Sequence, residues 1–319
     1  MMTGKLYVDG KDAFATWGVF VVSGGWNELL AYPKLKEVES NDWQEEDGIE
    51  ADLSNPVLDT KEAAVNFAYS GPYASFVDFL ALLADKGYHE FNCTGIGRSY
   101  KLRLLQMPNL EAYDALGFVS LKFADDFPLR NYTYLAPQSS IPLYEDYLID
   151  SKAFTSYGCR VLQGSLAEVM KAAQVKTALL RNISTRPGAQ YDSDASVTFK
   201  SKDVKINCLM RAPTLAELWR NYDALLYDLT RPGARQLEVA ALEQSFPCFY
   251  QSASITQFFP DDGEIWLTFS LTLTFTGDFR IDGGFALATE NSILLYTEDG
   301  ESAIEIQPTS GSSDRAGAE

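Results

Sequence analysis

The feature that most constrains this chain is a repeat of its own sequence at a fixed distance of 140 residues. Seven residues near the start recur as identical or related residues: Ala13, Phe14, Trp17, Gly18, Val21, Gly24 and Glu28 match Ala153, Phe154, Tyr157, Gly158, Val161, Gly164 and Glu168. The repeat predicts two tandem copies of one folding unit, each long enough to bury its own core. Since no concentrated set of reactive groups accompanies the repeat, it favours part of an assembly over an enzyme.

Both copies are predicted to follow the order strand, turn, strand, helix, long strand. The opening strands are expected at residues 6–8 and 14–22 in the first copy, and at residues 147–150 and 154–162 in the second. Asp9-Gly10 is a strong turn signal between the first two. Gly18 and Gly158 fall inside the second strand of each copy, where glycine indicates a bulge or a close backbone approach.

One amphipathic helix and one long strand are then expected in each copy. The helices follow Pro72 and Pro213, and their apolar residues recur at helical spacing: Phe76, Phe79, Leu80 and Leu83; Leu215, Leu218, Trp219 and Tyr222. Strict alternation from Ile265 to Phe275 predicts a strand, with a counterpart at residues 119–123. Extra residues in the second copy are expected around residues 260–263. The predicted fold class is mainly β with flanking helices (α+β).

The predicted domain plan has five parts. Residues 1–127 form the first β domain, 128–146 a docked connector, 147–280 the second β domain, 281–308 a C-terminal β-hairpin and 309–319 a disordered tail. The connector is expected to be docked because free linkers do not carry so many Tyr and Leu residues. The hairpin is expected because Leu287–Glu290 nearly repeats at Leu295–Glu298.

Charge and hydropathy exclude several classes of function. The formal net charge is −18, with 23 acidic and 11 basic residues in positions 1–150 and 21 and 15 in positions 151–319. A field of this sign repels a phosphate backbone, so nucleic-acid binding is not expected. The apolar runs are too short to span a bilayer, and no secretory core follows Met1, so we expect neither a membrane partner nor general secretion.

The reactive residues of the sequence predict no catalytic, cofactor or metal site. The chain has a single histidine, His89, for which a structural or surface role is expected, and no recognised nucleotide or protease motif. Four widely spaced cysteines are interpreted as reduced core residues: Cys93, Cys159, Cys208 and Cys248. No cofactor is therefore expected.

The charge contrast between two matched segments is the main clue to an interface. Residues 37–52, here called the acidic loop, hold eight acids and no base, whereas residues 174–190, the basic loop, hold three bases and no acid. In a ring of copies, one loop could meet the other across subunits. The candidate inter-subunit residues are Glu45, Glu46, Asp47, Lys176, Arg181 and Arg186.

The opening residues carry a family resemblance. Leu6-Tyr-Val-Asp-Gly-Lys-Asp-Ala-Phe-Ala-Thr-Trp-Gly-Val-Phe-Val resembles the start of distal tail and tail-tube proteins of long-tailed phages. The second copy keeps Asp150, Phe154, Tyr157 and Gly158, but has Cys159 in place of the valine and lacks the Asp-Gly turn. The resemblance implies a β-sandwich or half-barrel with one flanking helix in each copy.

The resemblance also implies a function. Two tube-like domains in one chain would close a ring around the DNA passage as a trimer with pseudo-sixfold symmetry, or as a hexamer. The chain would then be a non-catalytic distal tail or hub component of a phage or prophage. Its partners would be further copies and other tail or baseplate proteins, with DNA only in passing. It would reside in the virion tail and be made in the bacterial host cytoplasm.

Two other classes stay open at this point. One is a secreted or surface β-rich protein that binds carbohydrate through exposed Tyr and Trp. The other is a carboxylate-dependent hydrolase that uses the acidic loop, with Glu45 and Glu46 as the residues to change.

Overall fold

The first half of the chain folds around one curled, fully antiparallel sheet. The computed structural model describes residues 2–85, 87–112, 116–129, 132–177, 180–182, 184–185, 187–191, 197–260, 265–277, 285–286 and 305–306. The elements of the first half, in chain order, are β1 (Tyr7–Val8), β2 (Lys11–Asp12), α1 (Ala13–Trp17), β3 (Val19–Val21), α2 (Asn27–Leu30), β4 (Ser40–Asn41), β5 (Glu50–Ala51), β6 (Lys61–Ser70), α3 (Tyr73–Ala84), β7 (His89–Cys93), a 3-10 helix (Thr94–Ile96), β8 (Arg98–Ala112) and β9 (Leu116–Asp125).

The seven strands β2, β1, β7, β8, β9, β6 and β3 are neighbours in that order. The long strand β8 joins both parts of the sheet, because its first five residues pair with β7 and residues 103–112 pair with β9. Register shifts in β8, between Leu104 and Asn109, interrupt its pairing with β9, and such bulges bend a strand. The result is a half-barrel whose inner face is filled by alternate residues of β6 and β9.

The second half repeats this architecture strand for strand. Its elements are β10 (Tyr147–Ile149), β11 (Lys152–Ala153), a 3-10 helix (Phe154–Tyr157), β12 (Cys159–Val161), α4 (Ser165–Met170), β13 (Leu180–Asn182), β14 (Ala189–Tyr191), β15 (Lys202–Ala212), α5 (Leu215–Leu229), β16 (Arg235–Val239), a 3-10 helix (Ala240–Leu242), β17 (Gln244–Phe259) and β18 (Ile265–Phe275). The sheet order is β11, β10, β16, β17, β18, β15 and β12, which is the order of the first sheet element by element. The fold class predicted from the sequence is confirmed.

Strand register gives residue-by-residue equivalence between the halves. Val21 pairs with Phe67 and Val161 pairs with Cys208, so Phe67 and Cys208 are equivalent. The same reasoning matches Phe91 with Leu237 and Phe123 with Leu273, at separations of 146 and 150 residues. The prediction that the extra residues of the second copy lie around 260–263 is therefore incomplete. Part of the increase in separation between equivalent residues arises between α5 and β16. Residues 261–264 are outside the described residues.

The predicted strand at residues 14–22 is wrong in its first half. Ala13–Trp17 is helix α1, capped by Asp12, whose side chain accepts a hydrogen bond from the Ala15 amide at 2.9 Å. The corresponding Phe154–Tyr157 is a 3-10 helix rather than a strand. Each helical turn ends on a left-handed glycine, Gly18 or Gly158, so these glycines are helix C-caps and not mid-strand residues.

The close backbone approach expected at these glycines is present. A Cβ atom at Gly18 would lie 2.3 Å from the Ser70 carbonyl oxygen, and one at Gly158 would lie 2.8 Å from that of Arg211. The turn between β10 and β11 also keeps the geometry of Asp9-Gly10 without a glycine, since Asp150 and Ser151 both have positive φ, at 48° and 63°.

The long helices begin where the sequence predicts. Thr214 caps α5 by accepting the Glu217 amide at 3.2 Å, and α3 starts directly after Pro72. Phe76, Phe79 and Leu83 of α3 are buried on the first sheet. The helix positions equivalent to them in α5 are Leu218, Asn221 and Leu225, which are likewise buried.

Residues 132–138 of the predicted connector lie along α5. Asn221 donates to the Gln138 carbonyl at 2.7 Å and accepts from the Gln138 amide at 2.8 Å, and Arg220 donates to the Ala136 carbonyl. Near the C-terminus, β19 (Phe285–Ala286) pairs with β20 (Glu305–Ile306). The repeat at Leu287–Glu290 and Leu295–Glu298 and the end of the second copy at Asp278-Phe279 are outside the described residues, and the domain boundaries stay predictions.

Candidate functional site

His89 is a structural residue at the start of β7. Its Nδ1 atom lies 2.7 Å from Asp9 Oδ2, and the second oxygen of Asp9 accepts the Glu90 amide. Burial alone would raise the pKa of Asp9, but these hydrogen bonds lower it. The register places Arg235 at the equivalent position, and Arg235 pairs with Asp150 at 2.6 Å. His89 and Arg235 are thus equivalent side chains that each fix a turn aspartate, and His89 has a structural rather than a surface role.

The four cysteines are buried and none of them forms a disulfide. Burial raises the pKa of the Cys93 and Cys248 thiols to about 12, which disfavours the nucleophilic thiolate. Within the described ranges, no group of three or more His, Cys, Asp or Glu residues is arranged to hold a metal ion. Nor does any helix of those ranges have the length and apolar character needed to cross a membrane.

Two of the three candidate acids, Glu45 and Glu46, lie exposed on the acidic loop. Asp47 is half-buried and accepts the Phe199 amide at 2.8 Å, which ties the loop to the second half of the same chain. The Gly48 amide donates to the Phe199 carbonyl at 2.7 Å beside it. The acidic loop therefore lies on the boundary between the two halves.

Among the candidate bases, Lys176 is buried and meets the acidic loop within its own chain. Its Nζ atom donates to the carbonyls of Trp43 and Gly48, at 2.6 and 2.7 Å, and lies 2.5 Å from Asp42 Oδ1. Three oxygen partners compensate the cost of burying the ammonium group. Arg181 lies in β13, Arg186 is outside the described residues, and an inter-subunit role for the six candidates stays a prediction.

The main contact between the halves is aromatic. Tyr32, which follows α2, enters a pocket of the second half formed by Tyr222, Tyr250 and Phe269. Its ring stacks on Tyr222 with 3.9 Å between centroids, and its hydroxyl donates to the Tyr222 carbonyl. Tyr222 and Tyr250 in turn donate to the carbonyls of Leu30 and Pro33. Burial raises the pKa of all three tyrosines well above the usual value, so they remain neutral donors.

A second contact surrounds the 3-10 helix at Thr94–Ile96. Trp219 donates its indole N–H to the Ile96 carbonyl at 2.6 Å. Arg98 pairs with Asp223 at 2.6 Å and lies over the Trp219 ring, with 4.3 Å to the centroid. The face of α5 that makes these contacts is here called the junction face: Leu215, Trp219, Tyr222, Asp223 and Leu226.

The equivalent face of α3 is exposed. Aligning the helices on their buried residues matches Val77 with Trp219 and Leu80 with Tyr222. Trp219 is 6% exposed, whereas Val77 is 42% exposed. This equivalent surface of the first half is here called the open face: Tyr73, Val77, Leu80, Ala81 and Ala84. The intrachain junction thus joins unlike surfaces and leaves one of each kind uncovered within the chain.

The surface that would complement the open face lies on the second half. The residues equivalent to Tyr32 and to Thr94–Arg98 are Ala172 and residues 240–244, after the offsets of 140 and 146. Ala172, Ala240, Ala241 and Glu243 are exposed, and Val175 nearby is 57% exposed. This set is here called the second-half receiving surface.

Tyr32, Trp219 and Tyr222 were not among the residues that sequence analysis placed at an interface. One signal was available, because α5 carries apolar residues on two faces, Leu218 with Leu225 and Trp219 with Tyr222 and Leu226. A helix that packs on one sheet needs only one such stripe. Tyr32 has no comparable signal, since it lies in a short loop.

No family model matches this chain. No curated protein matches it either. A solved structure that resembles it is that of the Dit (gp 19.1) protein of phage SPP1, described as a paradigm of the hub adsorption apparatus in phages that infect Gram-positive bacteria. The identity is 12%, the TM-score is 0.28, and the match covers 85% of this chain and 97% of that one. At this TM-score, the likeness carries no argument about what the chain does.

Proposed function

We propose that this chain is a non-catalytic structural component of a phage or prophage tail, in the distal tail or hub region, whose copies form a ring around the DNA passage. The observation that carries the proposal is the duplicated seven-stranded half-barrel, joined through unlike faces. A head-to-tail contact that leaves one copy of each face uncovered can repeat from chain to chain. The assignment to a phage tail rests on the resemblance of the opening residues to distal tail and tail-tube proteins.

The proposed ring contains six half-barrels, as a trimer with pseudo-sixfold symmetry, or twelve in a hexamer. The net charge of −18 supports the DNA-passage role, because an acidic protein repels the phosphate backbone and lets it slide without retention. The proposed partners are further copies of the chain and other tail or baseplate proteins, in the virion tail after synthesis in the host cytoplasm. The acidic and basic loops are proposed as additional contacts between copies.

The test is the mass and shape of the purified full-length protein. Light scattering is expected to give three or six times the chain mass of 35.4 kDa, and negative-stain images are expected to show rings with a central opening. A monomer at the highest soluble concentration would contradict the proposal. In an assembled sample, charge reversal of Arg181 and Arg186 is expected to weaken the ring at low salt, where charge interactions are least screened.

A further inference from the structure

From the internal junction we infer which surfaces meet between chains: the open face of α3 in one copy docks on the second-half receiving surface of another copy. This inference rests on the proposed ring and specifies its interface. The intended occupant is a second copy of the chain, because the chain already contains the matching pair of surfaces in contact once.

Equivalent residues of the open face and the junction face differ in exposure. Tyr73 and Val77 of the open face are 45% and 42% exposed, and Ala81 and Ala84 are exposed as well. On the junction face, Trp219 and Leu226 are 6% and 2% exposed, and Trp219 contacts Ile96 and Arg98 of the first half. Val77 is exposed where its equivalent Trp219 is buried, and Tyr73 beside it is exposed where its equivalent Leu215 is half-buried. Two neighbouring exposed apolar side chains on one helix face indicate a surface that another molecule buries.

The 3-10 helices of the two halves have equivalent geometry. Gly97 follows Thr94–Ile96 with φ of 66°, and a Cβ atom there would lie 3.4 Å from Leu215 Cβ. Glu243 follows Ala240–Leu242 with φ of 50°, so it occupies the same place in the second half. Tyr73 is the equivalent of Leu215 on α3. Transferring the internal junction to two chains therefore places Glu243 of one copy against Tyr73 of the next.

The residues at the inferred interface differ in kind from their equivalents at the internal junction. The Arg98–Asp223 ion pair has no counterpart, because the equivalent residues are Gln244 and Ala81. The aromatic pocket is replaced by Leu80, Leu104 and Val119, and Tyr32 is replaced by Ala172. Apart from Tyr73 and Glu243, the contact between chains is thus aliphatic, and its side chains are smaller than those of the contact within the chain. It is expected to be weaker than the internal junction and insensitive to salt.

The test is a disulfide that forms only between chains. Tyr73→Cys and Glu243→Cys are introduced together in the full-length protein, since a Cβ–Cβ distance near 3.5–4.5 Å permits a disulfide. The control pair is Val57→Cys with Glu243→Cys, because Val57 is also 45% exposed but lies off the open face. The native cysteines are buried and do not compete. On mild oxidation, the test pair is expected to give covalent dimers and trimers on a non-reducing gel, and the control pair monomers.

A second measurement separates this interface from a charge-driven one. Val77→Asp is expected to weaken assembly by roughly tenfold or more, because it places an unpaired charge in an apolar contact. Val57→Asp is the control and is expected to change little. Raising the salt from about 0.1 to 1 M, which shortens the Debye length from about 10 to 3 Å, is expected to leave the ring intact.

The outcomes distinguish the two proposals. Rings that persist without the Tyr73–Glu243 disulfide and are unaffected by Val77→Asp would overturn this interface and leave the ring standing. Rings that dissolve in high salt would assign the contact to the charged loops instead. A wild-type monomer would overturn both.

Discussion

Gly18 shows at the residue scale how one position of the repeat is specified. It ends α1 with φ of 71° and passes close to the Ser70 carbonyl at the end of β6. Its own carbonyl accepts a hydrogen bond from the Ser70 amide at 2.9 Å. Any other residue would have to adopt a left-handed backbone and also push β6 away. The two effects can be separated, because Gly10 has a similar φ of 77° with open space around it.

We predict that Gly18→Ala costs about 2–5 kcal/mol of unfolding free energy, the sum of about 1–2 for the left-handed backbone and about 1–3 for the steric overlap. Gly10→Ala serves as the control and should cost only about 1–2 kcal/mol, since it lacks the overlap. Urea unfolding followed by far-UV circular dichroism measures both. Equal costs for the two variants would show that β6 yields freely at Ser70.

At this scale, the sequence identifies some positions and not others. The matched glycines and the turn aspartates are visible because backbone conformations with positive φ restrict the residue type. The role of Gly18 was nevertheless misassigned, since Ala13–Trp17 has the apolar character of a strand and its helix is only five residues long. Tyr32 gives no signal at all, because its partners Tyr222, Tyr250 and Phe269 are more than 180 residues away.

At the scale of elements, two equivalent lysines hold the short helices α2 and α4. Lys61, at the start of β6, donates to the carbonyls of Leu29 and Ala31 at the end of α2. Lys202 donates to those of Val169 and Lys171 at the end of α4, at 2.6 and 2.7 Å. Both arrangements satisfy carbonyls that a helix leaves without partners. Burial lowers the pKa of Lys61 to about 7 and that of Lys202 to about 8.

We predict that stability rises with pH between about 7 and 8, below the range in which the cysteines of the unfolded chain ionise. In this window the unfolded chain, with lysine pKa near 10.5, binds more protons than the folded one, so folding is favoured as protons are withdrawn. The neutral amine still has two N–H groups for the two carbonyls. Thermal unfolding at several pH values measures the slope, which should be smaller in Lys61→Met and Lys202→Met. Lys5→Met is the control. An unchanged slope in both variants would contradict the low pKa values.

Elements were predictable where the chain has one strong periodicity. The alternation in β18 and the helical spacing in α3 and α5 determine those elements locally, because each buries one face on a neighbour within the same half. Helix α5 carries a second apolar face that its own sheet does not need. That second face is explained only by its contact with the first half of the chain. The small hairpins β4–β5 and β13–β14 have no such pattern, and from the sequence their residues are predicted only as the acidic and basic loops.

At the scale of the whole molecule, the two halves share a junction that includes Tyr32, the Arg98–Asp223 pair and Lys176. These contacts cross the boundary in both directions and bury polar groups with their partners. The tandem repeat is visible in the sequence at this scale. The close packing of the junction is not visible in the sequence, because equivalent residues of the two halves differ at the positions that form the junction.

We predict that the wild-type protein unfolds in one calorimetric transition and that Tyr32→Ala lowers its stability by about 3–5 kcal/mol, the usual cost of removing a buried aromatic ring. Differential scanning calorimetry at low concentration measures both. Tyr144→Ala is the control, because Tyr144 is 46% exposed and its ring contacts Arg160 at the surface. Two separate transitions in the wild type would show that the halves fold independently.

The stacked pair of Tyr32 and Tyr222 also fixes an angle. Each chain sets the rotation from its first half-barrel to its second through this joint, and in the proposed ring a similar rotation would apply when the next chain is added. If the rotation returns to its starting point after a whole number of steps, the assembly closes; a small error at the joint accumulates and gives an open spiral instead. In the proposed assembly, the geometry of one loop tyrosine would therefore govern whether growth stops.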